Sequence, residues 1–287
     1  MEPAEVLRLT GVFVAGLTAS ALDYGLGLGF GLIATPMLVI LDLDPRQAIA
    51  VTLSAQVFSS LSALYAWRST GTEGPPKQII IVLAISALAG VVWGSLLMSL
   101  LEEEEALALY TAALVVVTAF FIVPMLDKSR EGAGGPSRPY VLVLGGFVGG
   151  LSKALSGGGF SPIVVAAQRA SGIDYRASLV AIPIIKPLAF ITAAAVYSWA
   201  GHMNLTTAAV LTAGSILGSL LAPKLPGIMP IRWAQVLVVL ALLAPKLPGI
   251  MPIRWAQVLV VLALAAAALK AVYRLSSEYG VFSWLGL

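Results

Sequence analysis

The sequence predicts an all-α, polytopic membrane protein made of two inverted repeats, each containing a glycine-broken (discontinuous or re-entrant) helix. Three observations predict it. Charged residues are only 11% of the 287 while apolar ones are 59%, too few charges to cover the surface of a soluble fold. The apolar residues lie in long runs. Four short strings recur in the same order along the chain.

The runs are Val6–Leu22, Ile49–Trp67, Gln78–Leu101, Ala106–Leu126, Tyr140–Leu155, Leu179–Ala200 and Thr206–Ala222, separated by short polar turns. Several reach the roughly 20 residues that cross a bilayer as a helix. Lipid offers no partner to free backbone groups, so spans must be helices or closed barrels. Barrel strands would alternate apolar and polar residues, and these runs do not. Met1–Glu5 is acidic, with no basic leader region and no small-residue cleavage site after it, so Val6–Leu22 reads as a retained span. With 17 Lys+Arg against 14 Asp+Glu the net charge is +3, no basis for nucleic-acid binding. Cys is absent, which excludes disulfides and thiolate chemistry.

The recurring strings define the halves. Phe13-Val-Ala-Gly-Leu17 returns as Phe147-Val-Gly-Gly-Leu151, and the glycine-rich Gly25–Phe30 as Gly157–Phe160. Tyr65-Ala-Trp67 returns as Tyr197-Ser-Trp199, and Ala89–Leu97 as Ala213–Leu221. Their offsets, 134, 130, 132 and 124 residues, are nearly constant. The polar stretch Asp127–Arg138 lies between them. The chain therefore divides into a first repeat over 1–126, a linker over 127–138 and a second repeat over 139–287, a plan common in transporters. Five membrane segments per half place nine basic residues (Arg68, Lys77, Lys128, Arg130, Arg138, Arg169, Arg176, Lys224 and Arg232) on one side, and only Arg8 and Arg46 on the other before residue 243. The first side is then cytoplasmic, linker included, and the N-terminus lies outside. Glu102–Glu105 reads as a solvated helix start. A second repeat differs in kind. Residues 221–242 and 243–264 are identical. The first copy is too short to span and is expected to be irregular or interfacial.

No metal-ligand cluster, nucleophile elbow or Walker motif is visible, and the single His202 stands in a short loop. No cofactor, metal or catalytic residue is expected. The glycine breaks carry the sharper signal. Gly25, Gly27, Gly29 and Gly31, with Pro36 behind them, and Gly157, Gly158 and Gly159, with Pro162 behind them, interrupt hydrophobic runs. Each interior glycine costs a helix about 1 kcal/mol. A broken helix in lipid needs protein or a wet cavity around it, and the new helix start offers free N–H groups and a positive dipole end to an anion. The isolated pairs Gly90/Gly94 and Gly214/Gly218 read instead as close helix packing.

Ionisable residues inside spans are costly and mark function. Lys186 lies ten residues after Arg176 and thirteen before Trp199, near the middle of its span, with Pro183 and Pro187 loosening the helix. Lys153 precedes the second break and Asp23 the first. The alternatives are an ion pair for Lys186, snorkelling for Lys153 and an N-cap for Asp23. Thr52, Ser54, Gln56, Ser59 and Ser60 mark the span that matches that of Lys186, as anion ligands or as helix–helix glue. The substrate-binding candidates are Lys186, Lys153, Thr52, Ser54, Gln56, Ser156, Gly29, Gly31 and Gly157–Gly159. Asp23 is the candidate for proton coupling. The partners implied are a small anion and the bilayer, with a homodimer left open.

The segment from Gly16 through Asp23-Tyr-Gly-Leu-Gly-Leu-Gly-Phe-Gly-Leu-Ile-Ala-Thr-Pro36, followed by Asp44-Pro-Arg-Gln-Ala48, resembles the first-repeat signature of the TauE/SafE sulfite exporter family. The second copy, Gly150-Leu-Ser through Ser156-Gly-Gly-Gly-Phe-Ser-Pro162 and then Asp174-Tyr-Arg-Ala177, is similar to the second-repeat signature. The resemblance covers roughly 6–242. It implies a secondary transporter of the plasma membrane that moves sulfite or organosulfonate anions, often by export. Lys186 departs from the family pattern, where a neutral or acidic residue is expected, and so does the tandem copy. A passive anion channel, a membrane-embedded enzyme and a structural subunit are the rival readings.

Overall fold

A computed structural model describes residues 3–41, 43–102, 104–106, 108–113, 116 and 139–228. The linker, the tandem copies beyond Ile228 and most of the run 106–126 lie outside the described residues. The described elements are helices: α1 (Pro3–Leu26), α2 (Phe30–Ile40), α3 (Pro45–Arg68), α4 (Lys77–Leu100), α5 (Pro139–Ser156), α6 (Phe160–Ala170), α7 (Tyr175–Trp199) and α8 (Leu205–Leu221). Six segments among the described residues are long and apolar enough to cross a bilayer: Glu5–Leu26, Pro45–Arg68, Lys77–Leu100, Pro139–Ser156, Tyr175–Trp199 and Leu205–Lys224.

Local chemistry sets the boundaries. Asp44 and Asp174 begin α3 and α7 as N-caps. The Asp44 carboxylate accepts the Arg46 N–H at 2.9 Å and that of Asp174 accepts the Arg176 N–H at 2.7 Å. Asn204 does the same for α8 through the Thr207 N–H at 3.0 Å. Glu105 accepts the Glu102 N–H at 3.3 Å, the reach-back of a helix start. At the C-termini Gly71, Gly172 and Gly201 take positive φ, the left-handed stop that glycine adopts without penalty.

The packing is reciprocal under exchange of the halves. α1 lies along α8, and α5 along α4; α3 meets α8 and α4 meets α7; α3 and α7 pair with each other. The recurring strings are the surfaces that touch. A Cβ on Gly214 of α8 would overlap the Phe13 carbonyl of α1, and one on Gly90 of α4 would overlap the Phe147 carbonyl of α5. Gly218 meets the Leu17 carbonyl and Gly150 that of Ala87 in the same way. Small residues let these backbones approach, and in lipid such packing takes over from hydrophobic burial as the driving force. Large apolar side chains such as Trp93, Leu100, Tyr65 and Trp199 face outward, 69 to 86% exposed, as lipid-facing residues do. The polar residues point inward: Asp23, Thr52, Gln56, Ser59, Ser60, Lys153 and Lys186 are buried. That inversion of the soluble pattern is what a bilayer demands.

Candidate anion site at the glycine breaks

Between α1 and α2 the chain leaves the helix over three residues, and Gly27 and Gly29 take φ of 67° and 90°. Between α5 and α6, Gly157 and Gly159 take φ of 68° and 83°. A residue with a Cβ is strained in this region, which explains the glycines at these positions. Both segments are buried, and they touch. A Cβ on Gly31 would overlap the Gly157 carbonyl and lie 2.9 Å from Lys153 Nζ. Thr35 of α2 donates to the same Gly157 carbonyl at 3.3 Å and to Thr52 Oγ1 of α3 at 3.4 Å.

Each break leaves carbonyls unpaired at the end of its first helix, and aromatic donors from the third helix of a half take them. Trp67 Nε1 donates to the Tyr24 carbonyl at 3.0 Å and Tyr197 OH to the Ala154 carbonyl at 2.7 Å. Tyr175 OH adds a bond of 2.8 Å to the Leu26 carbonyl. In the second break Ser152 Oγ donates to the Gly158 carbonyl at 3.1 Å and Ser156 Oγ accepts the Gly158 N–H at 3.3 Å.

Three buried charged side chains converge here, none more than 1% exposed. Asp23 Oδ1 accepts the Gly29 N–H at 3.2 Å, at the start of α2, while Oδ2 pairs with Lys186 Nζ. Lys186 Nζ also sits 4.3 Å from the Tyr24 ring centroid, in cation–π range. Tyr24 OH bonds Ser60 at 2.8 Å, which ties this cluster to α3. Lys153 Nζ donates to the Gly157 carbonyl at 2.5 Å. It stands 5.4 Å from the Phe190 ring and 6.0 Å from that of Phe30. Phe190 thus has Lys153 on it and Lys186 at 5.9 Å, and its edge meets Phe160, the first residue of α6, at 5.1 Å.

The structure brings together Asp23, Lys153, Lys186, Gly29, Gly31, Gly157–Gly159, Ser156 and Thr52. Gln56 lies on the same side of α3 as Thr52, its Nε2 bonded to the Thr52 carbonyl at 3.0 Å and its own carbonyl accepting from Tyr24 OH at 3.3 Å. Ser54 does not join them. Two residues from either neighbour it is rotated by about 200° on the helix, and its hydroxyl bonds the Ala50 carbonyl at 3.0 Å and faces Met203. It lines a separate cavity of about 610 Å³ between α3 and α8, with Phe58, Leu205 and Ala209. Tyr24, Thr35 and Phe190 belong to the site and were not singled out in the sequence. For Tyr24 and Thr35 the signal was present, since both fall within the first glycine-rich signature. His202 lies apart, stacked edge-on to Tyr197 at 6.4 Å. Burial pushes its imidazole below the ordinary value, and Arg46 acts in the same direction. No group of three or more metal-ligating side chains occurs among the described residues.

Reciprocally packed apolar helices around a buried, mixed-charge centre define a helical membrane protein with a polar site in its interior. The chain belongs to the sulfite exporter TauE/SafE family, whose model matches residues 12–247. It is thereby a multi-pass membrane protein of a transporter family. No curated protein and no solved structure matched.

Proposed function

We propose that the chain is a secondary transporter, an exporter in the plasma membrane, of a small anion such as sulfite or an organosulfonate. The observation that carries this reading is the contact of the two glycine breaks around Asp23, Lys153 and Lys186. Two helix starts, two ammonium groups and buried hydroxyls suit an oxyanion. The halves 1–126 and 139–287 act as inverted repeats, and the exchange-symmetric packing of α1–α4 against α5–α8 supports that reading. Rocking of one half on the other opens the central site to either side in turn. The N-terminus is outside and the linker 127–138 cytoplasmic, on the distribution of Lys and Arg.

In this cycle Lys186 and Lys153 supply positive charge, and Gly29, Gly31 and Gly157–Gly159 bring backbone groups to the anion. Thr52, Gln56 and Ser156 supply side-chain hydrogen bonds. Asp23 competes with the anion for Lys186. A proton on Asp23 cancels that competition, so the carboxylate is the coupling group.

Reconstitution of the purified chain in liposomes tests the proposal. Sulfite or methanesulfonate flux should saturate and respond to an imposed pH gradient. Asp23→Asn should lose the pH response, and Lys186→Met should fall well below wild-type rate. Flux that never saturates and ignores pH overturns the carrier reading in favour of a channel.

A further inference from the structure

We propose that the anion loads at the second break, on Lys153, and that this seat takes a singly charged anion and rejects a doubly charged one. The inference rests on the reading of the breaks as an anion site and assigns the substrate class to it. The first break is the template. There the chain's own carboxylate, Asp23, sits where an anion would, on the Gly29 N–H at the start of α2 and on the ammonium of Lys186.

The second break has the same kinds of donor and no carboxylate. α6 begins at Gly159 with no side-chain cap. Ser161, in its first turn, is fully buried, and its hydroxyl has no hydrogen-bond partner among the described residues. Lys153 is 1% exposed and makes no ion pair among the described residues. Among the described residues its ammonium meets the Gly157 carbonyl and the rings of Phe190 and Phe30. An unpaired buried cation is strongly unfavourable unless something negative joins it, and a carbonyl with two ring faces is a partial substitute.

Charge counting then sets the class. The buried charged side chains among the described residues are Asp23, Lys153 and Lys186, two positive and one negative. α1 contributes Asp23 and the phenol of Tyr24, α5 contributes Lys153 and α7 contributes Lys186. Phe30 of α2, Thr52 and Gln56 of α3 and Phe160 of α6 add no charge. With Asp23 holding Lys186, one positive charge is left. While Asp23 is ionised and paired with Lys186, a monoanion brings these three side chains and itself to neutrality, whereas a dianion leaves a buried negative charge with no counter-ion among the described residues. In that state the seat takes a monoanion, such as a sulfonate or hydrogensulfite, and rejects sulfate and fully ionised sulfite.

The test titrates the purified full chain in detergent near neutral pH with methanesulfonate, with sulfite and with sulfate, by calorimetry. Methanesulfonate should bind, and sulfate should bind roughly 100-fold more weakly, the scale of one unpaired buried charge. Sulfate binding as tightly as methanesulfonate overturns the charge rule and leaves the anion-site reading standing. Failure of methanesulfonate, sulfite and sulfate alike to bind overturns that reading itself. Lys153→Met should weaken methanesulfonate by roughly 10- to 100-fold, and wild-type affinity in that variant overturns the assignment of Lys153. Ser161→Ala removes one hydroxyl with little risk to folding, and it should weaken binding by roughly 3- to 10-fold. Unchanged affinity there overturns the placement at the second break, even if Lys153→Met fails to fold.

Discussion

The two glycine breaks do the same geometric task with opposite electrostatics. Each ends one helix and starts the next through two positive-φ glycines, and each has an aromatic donor on the freed carbonyls. The first break, however, carries a carboxylate of its own, and the second carries an ammonium. Asp23 satisfies the start of α2 and neutralises Lys186 across the interface between the halves. Lys153 has no such partner among the described residues and rests on a backbone carbonyl. Two segments of similar geometry thus form one internally satisfied seat beside one that is not. In a medium of low dielectric that difference matters more than any difference in shape.

The comparison breaks first, and most visibly, at the paired seat. Asp23→Asn leaves Lys186 buried without a counter-ion and should cost about 3–5 kcal/mol of stability. The double change Asp23→Asn with Lys186→Met should recover most of it. Chemical denaturation of the purified variants in detergent measures both, and a single variant as stable as wild type would mean that the pair is not buried together. Next comes the contact between the breaks. Gly31→Ala places a Cβ on the Gly157 carbonyl, and overpacking of this kind costs about 1–3 kcal/mol. Gly71 is the control. It also has positive φ, 69°, but a Cβ there meets nothing within 4 Å. Gly71→Ala should therefore cost only the left-handed backbone strain, about 1–2 kcal/mol, with transport unaffected, while Gly31→Ala lowers both melting temperature and flux.

Smaller effects sharpen the symmetry between the halves. Asp174→Ala removes the cap of α7 and should cost about 1 kcal/mol. The backbone N–H of Ala177, and then those of Arg176 and Tyr175, hold the Asp174 carboxyl below its ordinary value of 3.8. Its contribution is accordingly complete above that ordinary value and disappears as the pH falls through the lower, folded-state value. Wild type and Asp174→Ala should converge in stability only in acid, and a gap that stays constant to low pH would exclude the cap. The smallest change is Thr35→Val. It removes the hydroxyl that bonds Gly157 and Thr52 at 3.3 and 3.4 Å, long bonds worth about 0.5–1 kcal/mol. A melting shift of a few degrees or less is expected, with flux reduced less than in Gly31→Ala.

Much of the scaffold was legible in the sequence because lipid imposes simple rules. Length and apolarity mark spans, and dense glycine marks the places where a helix gives way. Asp-Pro-Arg and Asp-Tyr-Arg mark the starts of α3 and α7. The site was legible in part. Lys186, Lys153 and Asp23 stand out because charge inside an apolar run is rare. Ser54 was grouped with Thr52 and Gln56 by proximity in sequence, but helical rotation sends it to another face. Phe190 was invisible, since a phenylalanine in an apolar run looks ordinary until its neighbours are known, whereas Ser161 falls within the second glycine-rich signature.

By itself the sequence determined the class of protein and the identity of the chemically costly residues, because each of these follows from composition and periodicity along one dimension. Only the tertiary structure decided which charges meet. Asp23 and Lys186 are 163 positions apart in the chain, and no local pattern says that the first pairs with Lys186 and leaves Lys153 without a carboxylate. That choice follows from how closely the halves approach at Gly31 and Gly157, where the missing side chain lets two backbones touch.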